Sequence, residues 1–556
     1  MPSLSALADR LDRSPPVRHA FLAGLTLAAV LLIGYHFGTF DQAIHIAFLK
    51  RSADPTLFPG DAFLELRHLH YSFFWYAFVP LQWLGLLEPA LFAVHLFATY
   101  ATLWIVWRLG RQLFADPLAA TLACLALAVP HVGFAGFPVI EFSLLNRTFA
   151  LPFLLLAMAW YLEGRARAAF ALVGALFNVH ALSASFVLTM LLLDTTVRWR
   201  AVGVRSIAVG LGRFCLAAAP VLAWRLLLPR QAGALSLQPA WFDVVGRSLL
   251  YNVFHFVGPA SYVGLLTACG LGAFGLFAVA RRHLPPGPHD RTVTHFMLAI
   301  TGIVALEIVV ANGWPVTLLV QLQIVRAGVF ALVFGYLFFG AHLAARVRSG
   351  AGAVPVAAFV GLTPPFAPLA IDAVSRIAGP RAARRLIEVA ALLAFGWVTL
   401  HLGRSYGIWS PGLHVYAPRT PWVDVQLWAR AHAPKDALFI TPPHIYWLYT
   451  PDWRTHSERS TVATLSEVLE FAFDPEYLAV WQPRFEAVAP GTLARFRGDV
   501  FENRRLIAAA YDGLTDVALR RVAACFGADY LVVQRPRLRG LPVAYANEGF
   551  TVYDVR

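Results

Sequence analysis

The sequence predicts a polytopic α-helical membrane protein with a small α/β soluble domain at its C-terminal end. Of the 556 residues, 58% are hydrophobic and only 14% are charged, and the mean hydropathy is +0.61. An average soluble domain contains about 25% charged residues. Apolar runs separated by short basic segments extend to about residue 402, after which the composition becomes mixed. These observations exclude a soluble globular enzyme, a disordered chain and a coiled coil.

An apolar run at residues 21–38 predicts the first membrane span. The segment before it, residues 1–19, contains three arginines, and the positive-inside rule therefore places this segment in the cytoplasm. Since no small-residue cleavage motif follows the run, it indicates an uncleaved span rather than a signal peptide. The polar segment 39–70 is then expected to form the first extracytoplasmic loop.

The region 20–402 contains further apolar runs that predict about ten to thirteen crossings or half-crossings. Several runs are short, which is typical of half-spans, and the pair interrupted at residues 178–180 is the clearest helical-hairpin candidate. The proline-containing run 354–370 has arginine clusters on both sides, which favours a segment that enters the membrane and returns. In that case the last run, 386–402, leads outward and the C-terminal domain is extracytoplasmic. If every run crosses, this domain is cytoplasmic instead.

The net charge of +13 and the pI of about 9.9 arise mainly in the short segments between apolar runs. This distribution follows the positive-inside rule and indicates contact with anionic membrane lipids, not nucleic-acid binding. The four cysteines show no paired spacing, so neither a disulfide framework nor a zinc site is predicted.

A change in composition marks the C-terminal domain. Residues 403–421 are rich in proline, glycine and aromatic residues and are predicted to form a linker, and residues 422–556 are long enough for one small domain. Helical and β-rich patterns alternate there, which predicts an α/β domain. The helical patterns are at 423–431, 464–471 and 517–526, and the β-rich runs are at 437–440, 530–533 and 550–553.

Three features follow the first span in order. Asp41 and Gln42 come directly after it, an amphipathic segment occupies residues 43–50, and Asp54-Pro55-Thr56-Leu57-Phe58-Pro59 comes next. In this order the chain resembles the GT-C superfamily of integral membrane glycosyltransferases, which use polyprenyl-phosphate-linked sugars. In that superfamily an acidic residue after the first span, a juxtamembrane helix and an acidic segment ending in a hydrophobic residue and proline open the catalytic loop. The local match covers about residues 20–80, and the short spans and the C-terminal soluble domain fit the same architecture.

The resemblance implies a catalytic base in the first loop. An inverting sugar transfer needs a group that takes the proton of the acceptor hydroxyl. Asp41 occupies the matching position and is the predicted base; the alternative is that Asp41 only caps the juxtamembrane helix. Asp61 is a weaker candidate, as a second acid or a metal ligand. His68 and His70 are candidates to bind a divalent ion with Asp41, which leaves a cofactor such as Mg or Mn open.

A lipid phosphate as leaving group needs cations beside it. Arg147 begins one predicted span and Arg326 lies within another, and ionisable side chains inside spans are suspected of a functional role because they are costly to place there. Gln323 precedes Arg326 by three residues, so on a continuous helix the two side chains would lie on one face. An arginine fork matches phosphate geometry. The alternative is that the arginines anchor helix ends or form buried pairs with Glu141 or Glu307.

Two more polar residues are predicted to contact the substrate. His180 lies at the tip of the predicted hairpin and is a candidate to line a cavity; otherwise it is a buried polar group between helices. Gln42 stands where many GT-C members have a second acidic residue. The chain also has His68-Leu69-His70 where those members often have Lys-Pro-Pro.

Two other functions remain open at this stage. One is a transporter or flippase of a lipid-linked or anionic substrate, since broken helices and intramembrane polar residues suit a transport path. The other is a non-catalytic membrane assembly protein in which Asp41 is only a helix cap. Hydropathy shows no inverted repeat, which argues against a carrier. The expected partners are membrane lipids, a polyprenyl-phosphate-linked sugar donor and an unidentified acceptor, with no nucleic acid, and the expected location is a bacterial inner membrane.

Overall fold

The computed structural model describes residues 2–131, 137–227, 236–248, 260–350, 352–377, 380–471 and 473–556. Its N-terminal three quarters is helical, and its C-terminal quarter combines helices with a five-stranded sheet. The helices up to residue 405 are α1 (Pro2–Arg13), α2 (Pro15–Ile33), α3 (Asp41–Ala53), α4 (Ala62–Glu65), α5 (Val79–Trp83), α6 (Leu87–Phe114), α7 (Pro117–Leu127), α8 (Asn146–Leu162), α9 (Ala166–Phe177), α10 (Ala181–Val197), α11 (Trp199–Val202), α12 (Val204–Leu227), α13 (Pro239–Ser248), α14 (Ala260–His283), α15 (Asp290–Gly313), α16 (Thr317–Leu322), α17 (Gly328–Arg348), α18 (Ala353–Val360), α19 (Ala367–Val374) and α20 (Arg381–Ser405).

Seven helical stretches among the described residues are long and apolar enough to cross a membrane. They correspond to α2, α6, α12, most of α14 and α15, the α16–α17 stretch, and α20. The α16–α17 stretch is 89% buried and forms the centre of the bundle, where α17 packs against α7 and α14. In contrast, α20 is only 11% buried and lies at the periphery. The prediction of a helical protein with several membrane-length helices is confirmed.

Short helices complete the bundle. α9 has 12 residues and α18 and α19 have 8 each, and at 1.5 Å per residue none of the three is long enough for a hydrocarbon core of about 30 Å. α18 and α19 pack against each other, in the region where the sequence predicts a segment that enters and returns. α9 and α10 are joined at residues 178–180, as the predicted hairpin requires.

Asn178 connects this hairpin to α12. Its amide nitrogen donates to the carbonyl of Ala217 over 2.8 Å, and its amide oxygen accepts from the N–H of Val221 over 3.0 Å. These two backbone groups would bond to each other in a regular helix, but Pro220 lies between them inside α12. The Asn178 amide therefore ties the α9–α10 turn to backbone groups on both sides of Pro220 in α12.

One end of the bundle is rich in arginine. Ion pairs join neighbouring helix ends there: Asp12 with Arg111, Asp116 with Arg348, and Asp290 with Arg281. We call this surface the arginine face; it carries Arg108, Arg111, Arg165, Arg198, Arg281, Arg346 and Arg348. The opposite ends of α8, α10 and α17 point toward the C-terminal domain.

The C-terminal domain has the predicted α/β composition. Its sheet contains β3 (Leu438–Ile440), β4 (Ser460–Thr461), β5 (Tyr530–Gln534), β6 (Val543–Ala546) and β7 (Phe550–Asp554). The strand order is β4-β3-β5-β7-β6, in which β4, β3 and β5 are parallel and β5, β7 and β6 are antiparallel. The strands correspond to the three predicted β-rich runs plus two short ones, β4 and β6. The remaining elements are β1 (Tyr35–His36), β2 (Leu413–His414), α21 (Pro421–His432), α22 (Trp453–Ser457), α23 (Val468–Phe471), α24 (Leu478–Val488), α25 (Val500–Gly513) and α26 (Asp516–Phe526).

The first loop and the C-terminal domain share one hydrophobic core. Phe48 and Phe63 of the loop are buried in the same cluster as Trp481, Phe485 and other apolar side chains of the domain. In addition, β1, directly after α2, pairs in parallel with β2, which follows α20. The loop and the domain therefore lie on the same side of any membrane that α2 crosses.

Candidate active site

A cavity of about 400 Å³ lies where the bundle meets the C-terminal domain. Asp41 reaches it from the start of α3, Arg147 from the start of α8, and His180 from the α9–α10 turn. Arg326 comes from a short 3₁₀ helix, Ile324–Ala327, between α16 and α17. The fold thus brings together four of the residues that the sequence predicts for the site, although they are up to 285 positions apart.

Asp41 begins the juxtamembrane helix and forms an ion pair. Its Oδ2 accepts a hydrogen bond from Nη1 of Arg147 over 2.7 Å. The residue at the capping position is Phe40, not Asp41, and it has φ 51° and ψ −141°, a conformation that residues with a side chain rarely adopt. This corrects the alternative in which Asp41 is only a helix cap. A carboxylate in the first turn still interacts favourably with the helix dipole.

Arg147 lies between two carboxylates. Its Nε and Nη2 donate to the two carboxylate oxygens of Glu141 over 2.8 and 2.7 Å, while Nη1 contacts Asp41. The Arg147 side chain is 13% exposed, so this forked pair is well shielded from water. The guanidinium also lies 5.8 Å from the centre of the Phe137 ring, and that of Arg326 lies 4.8 Å from the same ring. One aromatic ring therefore lies beside both arginines.

His180 and His45 add imidazoles to the cavity lining. The Nδ1 of His180 accepts from the backbone N–H of Ser183, so a neutral ring carries its proton on Nε2. His45 stacks on Trp75 at 4.9 Å, and burial, followed by the neighbouring His70, keeps the pKa of His45 well below its usual range. In this form His180 can donate a hydrogen bond through Nε2, and a neutral His45 ring can donate or accept one.

Gln42 does not line this cavity, contrary to its predicted contact with substrate. It is fully buried: its Oε1 accepts from the N–H of Gly38 over 2.8 Å, and its Nε2 donates to the carbonyl of Leu144 over 2.8 Å. Both ends of the amide are used to hold the turn after α2 against the segment before α8. Gln42 thus positions Asp41, its neighbour, through the backbone.

Asp61 also lies away from Asp41. It caps α4 and forms a forked ion pair with Arg454 of the C-terminal domain, with contacts of 2.7 and 3.1 Å. Both side chains are 2% exposed. Asp61 therefore joins the first loop to the C-terminal domain, and the structure gives no support to its predicted role as a second catalytic acid.

Gln323 and Arg326 do not share a helix face, because α16 ends before them. Gln323 has φ 46° and ψ 49°, a left-handed conformation that breaks the helix, and the 3₁₀ helix of Arg326 starts at the next residue. Gln323 is buried away from the cavity lining. Gln321 lines the cavity instead and donates to the carbonyl of Phe473 over 3.1 Å. Of these two glutamines, only Gln321 lines the cavity.

The remaining histidine candidates have other contacts. His70 pairs with Glu470 of the C-terminal domain, and both line the cavity. His68 contacts the carbonyl of Glu65. Among the residues that the structure describes, no three His, Cys, Asp or Glu side chains are grouped in a way that fits a metal ion.

Behind the cavity, charged residues lock the first loop to the domain. Lys50 inserts its ammonium into the domain and contacts Glu458 over 2.8 Å. Arg454 meets Asp61 and also Glu467, over 3.1 Å, with Asp452 at 3.9 Å. Burial raises the pKa of Glu467 to about 7, although the positive charge of Arg454 opposes this shift. This cluster contains three carboxyl groups for one arginine, and a proton on Glu467 reduces the imbalance.

The comparison with protein families finds one match, which covers part of the C-terminal domain. A family described as a domain of unknown function (DUF6798) matches residues 420–488. This segment contains Arg454, Glu458 and Glu470, which contact the first loop. A search of curated proteins finds no match to the chain. The matched segment is therefore the part of the domain that completes the candidate site.

Proposed function

We propose that this protein is a membrane glycosyltransferase of the GT-C type, which transfers a sugar from a polyprenyl-phosphate-linked donor to an acceptor on the extracytoplasmic side. The observation that carries the proposal is the meeting of Asp41, Arg147 and Arg326 in one cavity between the bundle and the C-terminal domain. A carboxylate and two arginine forks are the groups that such a transfer needs.

The two arginines supply the phosphate site. Guanidinium groups donate charge-assisted hydrogen bonds to phosphate oxygens, and both arginines lie beside the Phe137 ring. A donor phosphate competes with Asp41 for Nη1 of Arg147, whereas Glu141 keeps Arg147 in place through Nε and Nη2. Donor binding therefore releases the Asp41 carboxylate from its ion pair.

The released carboxylate acts as the base. The acceptor hydroxyl oxygen attacks the anomeric carbon, and the bond from that carbon to the phosphate oxygen breaks. The hydroxyl proton passes to Asp41, and the polyprenyl phosphate leaves with the electron pair of the broken bond. Arg147 and Arg326 stabilise the charge that develops on this leaving phosphate, where electrostatic help lowers the barrier most.

The distribution of arginine supports the extracytoplasmic placement. The arginine face lies at the opposite ends of the helices from the cavity, and cytoplasmic loops carry the excess of basic residues in membrane proteins. With the arginine face in the cytoplasm, the cavity and the C-terminal domain face the other compartment. Polyprenyl-linked donors would then reach Asp41 from the outer leaflet.

The test is Asp41→Asn in the full-length protein. Asparagine keeps an oxygen that accepts from Arg147 but cannot take up the proton. Membrane vesicles would be supplied with polyprenyl-phosphate-linked hexoses and pentoses carrying a radiolabelled sugar, and transfer to endogenous acceptors would be counted. We expect turnover to fall by roughly 10²–10⁴-fold with little change in donor binding.

The matched control is Asp436→Asn in the C-terminal domain, whose side chain is exposed and does not line the cavity. This variant should transfer sugar at the wild-type rate. Wild-type transfer by a folded Asp41→Asn protein contradicts the proposal. So does movement of intact donor across the membrane without sugar transfer, which would identify a transporter.

A further inference from the structure

A second cavity, of about 520 Å³, opens on the arginine face, remote from Asp41. It lies between the α8–α9 turn, the end of α10 and the first half of α12. Four arginines from these elements line it: Arg165, Arg167, Arg198 and Arg213. The proposed sugar transfer uses none of these residues.

The four arginines are only partly neutralised. Arg198 lies 3.4 Å from Asp194, and Arg165 lies 3.8 Å from Glu163. Within the described part of the chain, no carboxylate comes within salt-bridge distance of Arg167 or Arg213. Because like charges that converge on one cavity repel each other, this arrangement favours a bound anion.

The inner wall of the cavity is apolar. Phe170 lies so close to Gly210 that a Cβ on this glycine would be 2.9 Å from the ring, so α9 and α12 meet at the floor of the cavity without a gap. Beside the cavity, Val197, Trp199 and Val204 are 48%, 49% and 66% exposed. Tryptophan is typical of the membrane–water interface.

The outer surface of α12 continues this apolar character. Only 22% of its membrane-length window is buried, and Leu216, one turn beyond Gly212, is 78% exposed. An exposed apolar surface of this kind can bind an acyl chain but does not contribute to the binding of a soluble anion. The cavity therefore combines a cationic rim with a path for hydrocarbon, which is the amphipathic pattern of a phospholipid.

We propose that this cavity binds the phosphate group of an anionic membrane phospholipid, whose acyl chains lie along α12. The forks of Arg167 and Arg213 contact the phosphate oxygens, because planar guanidinium groups match them bidentately. The site is separate from the donor site in position and in the residues that form it.

The experiment uses the full chain purified in detergent. Dioleoyl-phosphatidylglycerol is titrated while thermal unfolding is followed by tryptophan fluorescence, and the apparent affinity is read from the rise in Tm. Dioleoyl-phosphatidylcholine and inorganic phosphate are titrated in parallel. The test variant is Arg167→Gln with Arg213→Gln. The control variant is Arg291→Gln with Arg385→Gln, two exposed arginines that do not line the cavity.

We expect phosphatidylglycerol to raise the Tm of the wild type, with phosphatidylcholine and inorganic phosphate giving much smaller shifts. The apparent affinity for phosphatidylglycerol should weaken by roughly 10–100-fold in the test variant, as for the loss of two charge-assisted contacts, and change by less than about twofold in the control. Unchanged affinity in the test variant would refute the proposal. An equal Tm rise with inorganic phosphate would also refute it, because the occupant would then be a soluble anion.

Discussion

The Phe137 ring is in contact with both arginines of the candidate phosphate site, at 5.8 Å from Arg147 and 4.8 Å from Arg326. These two arginines are not equivalent. Arg147 donates to Glu141 through Nε and Nη2, and only its Nη1, which contacts Asp41, is exchanged for the donor phosphate in the proposed mechanism. In the proposed site the guanidinium of Arg326 also contacts the donor phosphate, and we expect its planar geometry, and not only its charge, to contribute to binding.

Replacing Arg326 by Lys tests this difference, because lysine keeps the charge but loses the planar fork. Donor binding should weaken by about 1–3 kcal/mol, or roughly 5–150-fold in Kd, measured by equilibrium binding of a labelled donor in detergent. Arg504→Lys is the matched control, since Arg504 also stacks on an aromatic ring, at 5.4 Å from Trp447, but outside the cavity. An unchanged donor affinity in Arg326→Ala would remove Arg326 from the site.

Glu467 predicts a specific dependence of stability on pH. Its pKa is raised to about 7 in the folded protein, compared with about 4.3 for a free glutamate. Between these values the unfolded chain releases a proton that the folded chain retains. This contribution to the free energy of unfolding is therefore full below about pH 4 and is lost as the pH rises to about 7 and above.

In Glu467→Gln this loss should disappear. From pH 5 to pH 8 the wild type should lose about 2–3 kcal/mol more stability than the variant, as measured by denaturant unfolding at each pH. Glu476→Gln, at an exposed neighbouring position, should behave as the wild type. Parallel pH profiles for Glu467→Gln and the wild type would show that Glu467 is ionised in the folded protein.

Among the helices, the α9–α10 turn depends on one side chain. The Asn178 amide bonds to Ala217 and Val221 of α12 on either side of Pro220. In Asn178→Ala, the partly buried carbonyl of Ala217 and the N–H of Val221 lose this partner, which should reduce stability by about 1–3 kcal/mol. Thr189→Ala is the control, because Thr189 is exposed on α10 and bonds only within its own helix. Equal Tm values for both variants in detergent would contradict this role.

Local patterns were sufficient to locate this hairpin, the first loop and three strands of the C-terminal sheet, because hydrophobic periodicity and turn residues act over a few positions. Asp41 and Arg147 stand out in the sequence because charged residues next to spans are unusual, and the structure places both at one cavity, where their predicted roles stay predictions. Local patterns failed for Gln323, since its left-handed conformation interrupts a run that is apolar on both sides. Nothing in the local sequence signals such a break.

Two further failures have a different cause. Gln42 bonds to a residue 102 positions away and Asp61 to one 393 positions away. The sequence alone does not distinguish a glutamine or aspartate that is buried for a structural reason from one that contacts substrate. Only the hydrogen-bond partners in the folded protein distinguish them. Residues that join distant segments are therefore the part of a site that a single sequence predicts least well.

For the whole molecule, the pairing of β1 with β2 makes a prediction about topology. The first loop and the C-terminal domain lie on the same side of the bundle, opposite the arginine face. Because the positive-inside rule places the arginine face in the cytoplasm, a reporter fused after Arg556 should be extracytoplasmic. A second fusion at Gly203, on the arginine face between α11 and α12, should be cytoplasmic. Alkaline phosphatase activity, which requires an oxidising compartment, should appear in the first fusion and not in the second. The reverse pattern would invert the orientation.

The shared core of the first loop and the C-terminal domain also has a consequence for synthesis. Asp61 and Arg454 are 393 residues apart, and at about 5–20 residues per second the ribosome needs roughly 20–80 s to make the segment between them. For this time the apolar side of α3, including Phe48, has no partner from the domain. A nascent chain stalled before residue 403 should therefore be sensitive to added protease in its first loop. During normal synthesis, the membrane surface or a chaperone has to shield the apolar side chains of that loop until translation ends.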